Sequence, residues 1–361
     1  MQLPIPYMHF RGGSSKALFF NAADLPSNER QRNKMVLAAM EGLGLGDARQ
    51  IDGLGGGTSL TSKVAVVSLS HELGIDINYL FLQVVLGKGV VSAAQTCGNI
   101  LAGVVPFAIE SGMLRAHSSH TVANVKMVNT GGICEVTVET PDERVNYSGN
   151  TKVDGVPGTA APVICNYLQI QGATCGALLP TGSVVDVING IGVTCIDNGM
   201  PSVLVRAADL GITGYETPAE LDADNTLKKT LESLRLAAGP MMHLGDVLDQ
   251  TVPKMCIISQ PMHGGTINTR TFIPHVCHEA IGVLGATSVA AACLIAGTIA
   301  WQSCAALPVG STVSVEHPAG EFTVMFDTAI ENGTMVIKRS GLVRTARLLS
   351  RGLVYIPEGR Y

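Results

Sequence analysis

The sequence is poor in aromatic and charged side chains, and this shortage limits what the protein can be. Only 4% of the 361 residues are aromatic and 15% are charged, whereas 46% are hydrophobic. The core must therefore be built mainly from Val, Leu, Ile and Ala. The formal net charge of -5 offers no basic surface for nucleic acid. At this length two domains are the expectation.

The sequence also gives no support for secretion, a disulfide framework or a membrane anchor. Met1 to Phe10 has neither a basic start nor a long apolar run, and the nine cysteines show no repeating spacing. We therefore expect a cytoplasmic protein with reduced thiols. The stretch from Ile281 to Trp301 has the length of a membrane span, but its residues are small and weakly hydrophobic. It predicts a buried helix and no contact with membranes.

Motifs of several common enzyme classes are missing. No Gly-x-Ser-x-Gly elbow and no Gly-x-Gly-x-x-Gly after a strand is present, so hydrolase and dinucleotide-binding interpretations have no support. The groupings His275-x-Cys277-His278 and His117-x-x-His120 lack a carboxylate or a second cluster at ligand spacing. We therefore expect no metal site.

The pattern of apolar residues indicates a duplicated α+β architecture. Short Val- and Ile-rich runs broken by Gly, Asn and Pro predict many short strands. Two segments, Gly98–Glu110 and Thr287–Ala300, are apolar on all faces and predict buried helices, each with strands around it. Ser27–Glu41 and Ala223–Ala238 have helical amphipathic spacing and predict surface helices. Examples of predicted strands are Lys63–Ser68, Asn124–Asn129, Ile133–Glu139, Ser202–Val205 and Glu321–Phe326.

Lys63 is the first candidate for chemistry. It follows a loop that contains four glycines between residues 53 and 57, and it opens a hydrophobic strand. A lysine drawn into a region of low dielectric can serve as a base near neutral pH. The alternative is a surface lysine at the edge of a strand.

Cys97 is the second candidate, because it directly precedes the first buried helix. A thiol at a helix start can act as an acid or base, and free N–H groups there favour an anion. The alternative is a small buried hydrophobe. The start of the second buried helix has hydroxyls, at Thr287 and Ser288, where the first has a thiol. The predicted site is therefore asymmetric.

Two further groups suit an anionic ligand. In Arg11-Gly12-Gly13-Ser14-Ser15-Lys16, backbone N–H groups and hydroxyls are flanked by cations, although a plain turn is an equal alternative. Arg270 could bind a carboxylate with two hydrogen bonds, or it could form a structural salt bridge.

Ten segments in order carry a resemblance to a known family. They are Arg11–Lys16, Arg49–Gly56, Leu60–Ala65, Asn78–Phe81, Cys97–Val104, Asp154–Gly158, Cys195–Pro201, Val252–Cys256, Asn268–Arg270 and Gly341–Arg347. These segments are similar to the PrpF-like family of the diaminopimelate epimerase superfamily. The resemblance covers essentially the whole chain. It implies two pseudo-symmetric domains, each a β-barrel-like wrap around a central apolar helix, with the active site in the cleft between them. With turn residues clustered at Leu179–Gly182, we expect the domains to comprise residues 1–180 with 341–361, and residues 181–340.

Within the family, the chain most resembles 4-oxalomesaconate tautomerases and isomerases of bacterial gallate and protocatechuate degradation. Such an enzyme uses no cofactor and no metal, and its substrate is an unsaturated oxo-tricarboxylate. The resemblance implies that Lys63 is the proton-transferring base and that Cys97 lies beside or opposite it. By analogy a homodimer is expected. The residues expected to bind substrate are Arg11, Ser14, Ser15, Ser62, Gly98, Asn99, Arg270, Thr287 and Ser288.

The sequence departs from the family pattern in two places. The usual Gly-Gly-Ala-Asp/Asn-Pro becomes Gly55-Gly56-Gly57-Thr58-Ser59, which leaves ligand contacts there open. The second catalytic cysteine of the superfamily has no counterpart at the second helix, which favours isomerisation with one dominant base over racemisation. Two alternatives stay open: cis–trans or allylic isomerisation of an aconitate-like acid, and a non-catalytic role as accessory protein to an iron–sulfur hydratase.

Overall fold

The computed structural model describes residues 2–42, 46–94, 96–305, 311–331 and 334–357. The chain forms two compact units: unit 1 is Met1–Asn166 with Val343–Tyr361, and unit 2 is Tyr167–Leu342. The first boundary therefore lies earlier than the predicted position at residue 180. The reason is Asp197, whose carboxylate accepts hydrogen bonds from the backbone N–H groups of Thr174 and Cys175 and so ties that segment to unit 2.

Within the described ranges, the part of unit 1 before its boundary at Asn166 contains three α-helices and strands β1 to β8, of which β8 ends two residues beyond that boundary. The strands are β1 (Gln2–Gly12), β2 (Ser15–Asn21), β3 (Lys63–Leu69), β4 (Ile77–Val85), β5 (Val90–Ser92), β6 (Ser119–Met127), β7 (Ile133–Thr140) and β8 (Pro162–Leu168). The helices are α1 (Glu29–Glu41), α2 (Gly98–Leu101) and α3 (Val104–Glu110).

Unit 2 begins with a hairpin and ends in a long strand. Its strands are β9 (Asp186–Ile188), β10 (Ile191–Asp197), β11 (Pro201–Arg206), β12 (Lys254–Ser259), β13 (Ile267–Phe272), β14 (Thr312–His317) and β15 (Gly320–Glu331). Its helices are α4 (Pro218–Ala223), α5 (Asn225–Met241), α6 (Val283–Leu294) and α7 (Ile299–Ser303). The last strand, β16 (Thr334–Pro357), belongs to unit 2 as far as Leu342 and to unit 1 from Val343 onward.

The two units repeat one order of strand pairing. In unit 1, β1–β2, β3–β4 and β6–β7 are antiparallel, whereas β2–β3 and β4–β6 are parallel. In unit 2, β10–β11, β12–β13 and β14–β15 are antiparallel, whereas β11–β12 and β13–β14 are parallel. In both series a long outer helix follows the second strand and buried helices follow the fourth. The structure confirms the duplicated α+β unit.

The central helices are buried as predicted, but their boundaries are different. The predicted helix Gly98–Glu110 is divided into α2 and α3, because Pro106 has no N–H group and is tolerated only in the first turn of a helix. The predicted helix Thr287–Ala300 begins earlier, at Val283, and ends at Leu294. Gly297, with φ of +90°, separates it from α7. Among the described helices, none is long and apolar enough to cross a membrane.

In each unit, the outer helix covers one face of the strands with apolar contacts. In unit 1, Val64 and Val66 of β3 pack with Met35 and Val36 of α1. In unit 2, alternate residues of β12 pack in the same way against α5. Because side chains alternate along a strand, the residues between them point to the other face, where the central helices lie. We call this the inner face, and Lys63 lies on it in unit 1.

Candidate active site

Lys63 is nearly buried and is held by two side chains of β4. It is 7% exposed and pairs with Gln83 across the antiparallel β3–β4 ladder. Its Nζ donates to Gln83 Oε1 at 2.8 Å and lies 5.2 Å from the centre of the Phe81 ring. The amine therefore has one neutral acceptor and an aromatic face, and among the described residues no carboxylate pairs with it. This environment is distinct from that of an exposed lysine at a strand edge.

Cys97 is held by the same face of β4. Tyr79 lies two residues before Phe81, so both side chains point to the inner face. The Tyr79 hydroxyl donates to the Cys97 carbonyl at 3.1 Å. Cys97 is the residue before α2, and it is half-buried, whereas most of the other cysteines are buried. One strand face thus positions both residues that were predicted to carry the chemistry.

The turn of the β1–β2 hairpin packs closely against the start of α2. A Cβ on Gly12 would lie 2.3 Å from the Asn99 carbonyl oxygen, and one on Gly13 would lie 2.2 Å from Asn99 Oδ1. Gly13 also has φ of +49°, which favours glycine. Asn99 Nδ2 donates to Ser14 Oγ at 3.3 Å. The glycines of this motif therefore permit a close backbone approach that places Ser14, Ser15 and Asn99 at one end of the inner face.

Polar groups at this end of the inner face have no hydrogen-bond partner among the described residues. Ser15 is 2% exposed and its Oγ is unsatisfied, and so is Asn99 Oδ1. Thr96 Oγ1, one residue before Cys97, is likewise buried and unsatisfied. Leaving a buried polar group unpaired costs about 1–3 kcal/mol. Three such groups, two of them within two residues of Cys97, indicate a site that a polar ligand completes.

The glycine-rich loop before Lys63 has a structural explanation. A Cβ on Gly53 would lie 2.3 Å from the backbone of Met40 in α1, and one on Gly55 would lie 2.0 Å from Gln50 Oε1. That oxygen also accepts from Gly57 N and from Ser62 Oγ, at 2.9 and 2.7 Å. The loop therefore folds around the Gln50 side chain. The Ser62 hydroxyl is fully buried and donates within the loop, so its predicted contact with substrate stays a prediction.

Arg11 supports the hairpin. Its Nη1 donates to the carbonyl oxygens of Gly13 and Thr345, at 2.9 and 3.0 Å, and to Thr345 Oγ1. Burial and then the neighbouring Arg347 lower the pKa of Arg11 from its usual value. This arginine fixes the turn that carries Ser14 and Ser15, and its direct contact with a ligand stays a prediction.

The predicted residues of unit 2 already have partners of their own. Arg270 donates through Nε to the Glu216 carbonyl at 2.7 Å and through Nη1 to Asn268 Oδ1 at 3.0 Å. Thr287 Oγ1 donates to the Asn198 carbonyl and Ser288 Oγ to the Met200 carbonyl, both at 2.8 Å. Because α6 starts at Val283, these two hydroxyls lie in its second turn, and the prediction that they begin the helix was wrong. Their contact with substrate stays a prediction.

Sequence reasoning missed the residues that hold Lys63 and Cys97. Gln83 interrupts an apolar run in β4, at the inward-facing position of the alternation, and this isolated polar residue was the available signal. Tyr79 lies within a segment quoted for the family resemblance, but its hydroxyl contact could not be foreseen. In the part of the chain that the structure describes, no group of three or more His, Cys, Asp or Glu side chains could hold a metal ion.

Comparison with known proteins identifies the family. The 4-oxalomesaconate tautomerase of Pseudomonas putida is 52% identical over 357 residues, which are 98% of this chain and 97% of that protein. The (4E)-oxalomesaconate Delta-isomerase of a Novosphingobium species is 50% identical over 353 residues, 97% of either chain. A crystal structure of methylitaconate-delta-isomerase is 32% identical with a TM-score of 0.85, over 99% of this chain and 97% of that one. The fold is diaminopimelate epimerase-like. The profile of the PrpF protein family matches residues 2–357, and the chain belongs to that family.

Proposed function

We propose that the protein is a 4-oxalomesaconate isomerase with Lys63 as the base. It moves a proton from a carbon of the substrate to another atom of the conjugated system, without a cofactor. The observation that carries the proposal is the environment of Lys63: nearly buried, held by Gln83 and Phe81, and without a carboxylate partner among the described residues. The names of the two relatives at 50–52% identity supply the substrate.

The substrate chemistry suits a single amine base. In an unsaturated tricarboxylate with a 2-oxo group, the neighbouring carbonyl groups acidify a carbon-bound proton. The Lys63 amine takes that proton, and the electron pair of the broken C–H bond spreads into an enolate. Return of a proton to the enolate oxygen gives the enol tautomer, whereas return to another carbon shifts the double bond. Lys63 or the Cys97 thiol donates that proton.

The unsatisfied groups of unit 1 are suited to bind the substrate. The Ser15 hydroxyl and the first-turn N–H groups of Gly98 and Asn99 can donate to a carboxylate or to the enolate oxygen. Asn99 Oδ1 can accept from a hydroxyl or an acid proton of the ligand. Because α2 is a single turn, its dipole is weak, and these separate donors carry the stabilisation.

The test is hydrogen exchange during turnover. Purified protein is added to the keto form of 4-oxalomesaconate in D2O, and proton NMR is followed together with the absorbance of the enol. We expect rapid conversion with deuterium entering the carbon skeleton. Lys63→Met should lower the rate by several orders of magnitude, while Lys88→Met, at an exposed lysine of unit 1, keeps the wild-type rate.

The other outcomes separate the alternatives. Near-normal turnover of Lys63→Met would remove this residue as the base. No exchange with 4-oxalomesaconate, but exchange with trans-aconitate, would make the protein an aconitate-type isomerase. Inactivity with both acids, together with a stable complex with an iron–sulfur hydratase, would favour the accessory role. The cytoplasmic location and the homodimer stay predictions.

A further inference from the structure

One edge of β4 passes from one partner strand to another at Phe81. β6 pairs in parallel with β4 as far as Tyr79, and the N–H of Val128 then donates to the Tyr79 carbonyl at 2.9 Å. β5 pairs with β4 from Gln83 onward. Because the backbone groups of alternate residues point to the same edge of a strand, those of Phe81 face this edge between the two partner strands. Phe81 is fully buried, so its N–H and C=O groups need other partners.

The side chain of Asn129 supplies these partners. Its Oδ1 accepts from the Phe81 N–H and its Nδ2 donates to the Phe81 carbonyl, both at 2.9 Å. β6 ends at Met127, and Asn129 lies in the turn that follows, where the N–H groups of Thr130 and Gly131 donate to the Met127 carbonyl. The amide thus replaces the peptide group that a continuing strand would present to β4. Aspartate has no donor for the carbonyl and glutamine is one methylene longer, so the position suits asparagine.

Asn129 makes one more contact, which is not needed to satisfy the edge of β4. Its Nδ2 also donates to the carbonyl of Ala93, at 2.8 Å. Ala93 follows β5 and lies four residues before Cys97. At Cys97 itself the chain is tied to β4 a second time, by the Tyr79 hydroxyl. The chain that leads into α2 is therefore attached to β4 at two points, at Ala93 through Asn129 and at Cys97 through Tyr79.

The two backbone positions that Asn129 joins are linked to the proposed base and to the thiol. The Phe81 ring lies 5.2 Å from Lys63 Nζ. Ala93 precedes Cys97 in the chain that Tyr79 holds further on. One amide at the edge of β4 therefore connects the strand that supports Lys63 with the chain that carries Cys97. A side chain that only satisfied the edge of β4 would not require the bond to Ala93.

We propose that Asn129 is a positioning residue of the reaction, whose amide sets where Phe81 and Cys97 lie relative to each other through the bonds to Phe81 and Ala93. The inference rests on the proposed function and deepens it, because it adds a residue that acts through Lys63 and Cys97 rather than on the substrate. Loss of this placement should slow proton transfer, since a displacement of about 1 Å can cost roughly 100-fold in rate.

The test combines turnover of 4-oxalomesaconate with alkylation of Cys97 by iodoacetamide, measured by mass spectrometry. In Asn129→Ala and Asn129→Asp, kcat should fall roughly 10- to 100-fold, whereas KM should change by less than about threefold because the hairpin turn still holds the start of α2. The rate of Cys97 alkylation should rise roughly two- to tenfold, because the chain loses a hydrogen bond that restrains it. Asn129→Asp keeps the size of the side chain and the acceptor for the Phe81 N–H, so a low kcat in this variant assigns the effect to the two donated bonds.

Two controls separate positioning from a general loss of stability. Cys304 of unit 2, the other half-buried cysteine, is the internal reference, and its alkylation rate should match that of the wild type in every variant. Asn124→Ala removes a side-chain hydrogen bond to the Gly74 carbonyl from the same strand, β6, and should leave kcat and both alkylation rates unchanged.

Tyr79→Phe keeps the inference testable if the Asn129 variants do not fold. It releases the other attachment by the loss of one hydroxyl, and it should likewise lower kcat and raise the alkylation rate of Cys97. Wild-type values in Tyr79→Phe would overturn the inference, and so would an unchanged kcat in the folded Asn129 variants or equal increases in alkylation at Cys97 and Cys304. If the wild type does not turn over 4-oxalomesaconate, the proposed function fails, while the alkylation rates, which need no turnover, still decide whether Asn129 positions Cys97.

Discussion

The contact between Gln83 and Lys63 gives the sharpest test of the site, because it can be altered in two directions. Gln83→Met removes the acceptor at 2.8 Å from Lys63 Nζ and leaves a side chain of similar length. Gln83→Glu places a carboxylate at the same position. The first change disfavours the ammonium form of Lys63 and the second favours it, so the two variants should move the pH dependence of the rate in opposite directions.

The magnitudes follow from the geometry. A hydrogen bond to a charged group contributes about 1.5–3 kcal/mol, and 1.36 kcal/mol corresponds to one pH unit. In Gln83→Met the acidic limb of the kcat/KM profile should therefore move about one to two units toward lower pH. A carboxylate in contact with a cation has an effect of about one to three units, so Gln83→Glu should move the limb upward by that amount.

The assay is the enol absorbance change from pH 5 to 9, with thermal melting of each variant. Melting is needed because Gln83 Nε2 also donates to the Ser62 carbonyl at 2.9 Å, and a carboxylate oxygen there would face that carbonyl. Limbs that coincide with the wild type in both folded variants, or that move in the same direction, would refute the view that the contact with Gln83 acts on the Lys63 amine during the reaction.

Two further predictions concern the hairpin and the core of unit 2. Gly13→Ala should lower kcat/KM at least tenfold, because its Cβ would displace Asn99. The control is Gly74→Ala, which also has a positive φ but no atom within 4 Å of the added Cβ, so it should lower only the stability, by the backbone strain of about 1–2 kcal/mol. Equal kcat/KM values in the two variants would refute the role of the close approach. Arg235→Met should lower Tm by roughly 5–15 °C, since the fully buried guanidinium pairs with Glu232 and donates to four backbone carbonyls. Arg206→Met, which breaks a half-exposed ion pair with Asp209 and a hydrogen bond to Gln302, should shift Tm by little, and similar Tm shifts in the two variants would contradict the argument.

Most of the fold could be predicted because the signals are local and periodic. Two helices without a polar face had to be buried, and two amphipathic helices had to lie outside, which together define the duplicated unit. The errors lie where a single residue overrides the pattern. Pro106, in the first turn of α3, divides the single helix predicted over Gly98–Glu110, and Gly297 lies between α6 and α7 in unit 2. Both residues were visible, but the apolar pattern continues across them.

The site was predictable only in part. Residue type and neighbours were enough to single out Lys63 and Cys97, and the hairpin motif pointed to Ser15. The contacts that hold them come from side chains of β4, and the sequence alone does not show which of these side chains faces Cys97. The glycine-rich loop shows the converse: its composition singled out the neighbouring Lys63, while its glycines make room for Gln50 and α1. A run of glycines indicates that other atoms lie close to the backbone there, but it does not show whether these atoms belong to a ligand or to the protein.

The duplication explains why the chain has two nearly buried lysines, one in each unit. After duplication both units carry the same strand order and thus the same inward-facing first position, at β3 and at β12. Divergence then acts on what faces each lysine rather than on the lysine itself. A glutamine acceptor holds Lys63 in place in unit 1. The position opposite Lys254 is Ile273, one residue beyond the β12–β13 ladder, and it has no side-chain acceptor. The same fold position therefore has different surroundings in the two units, although a lysine is present in both.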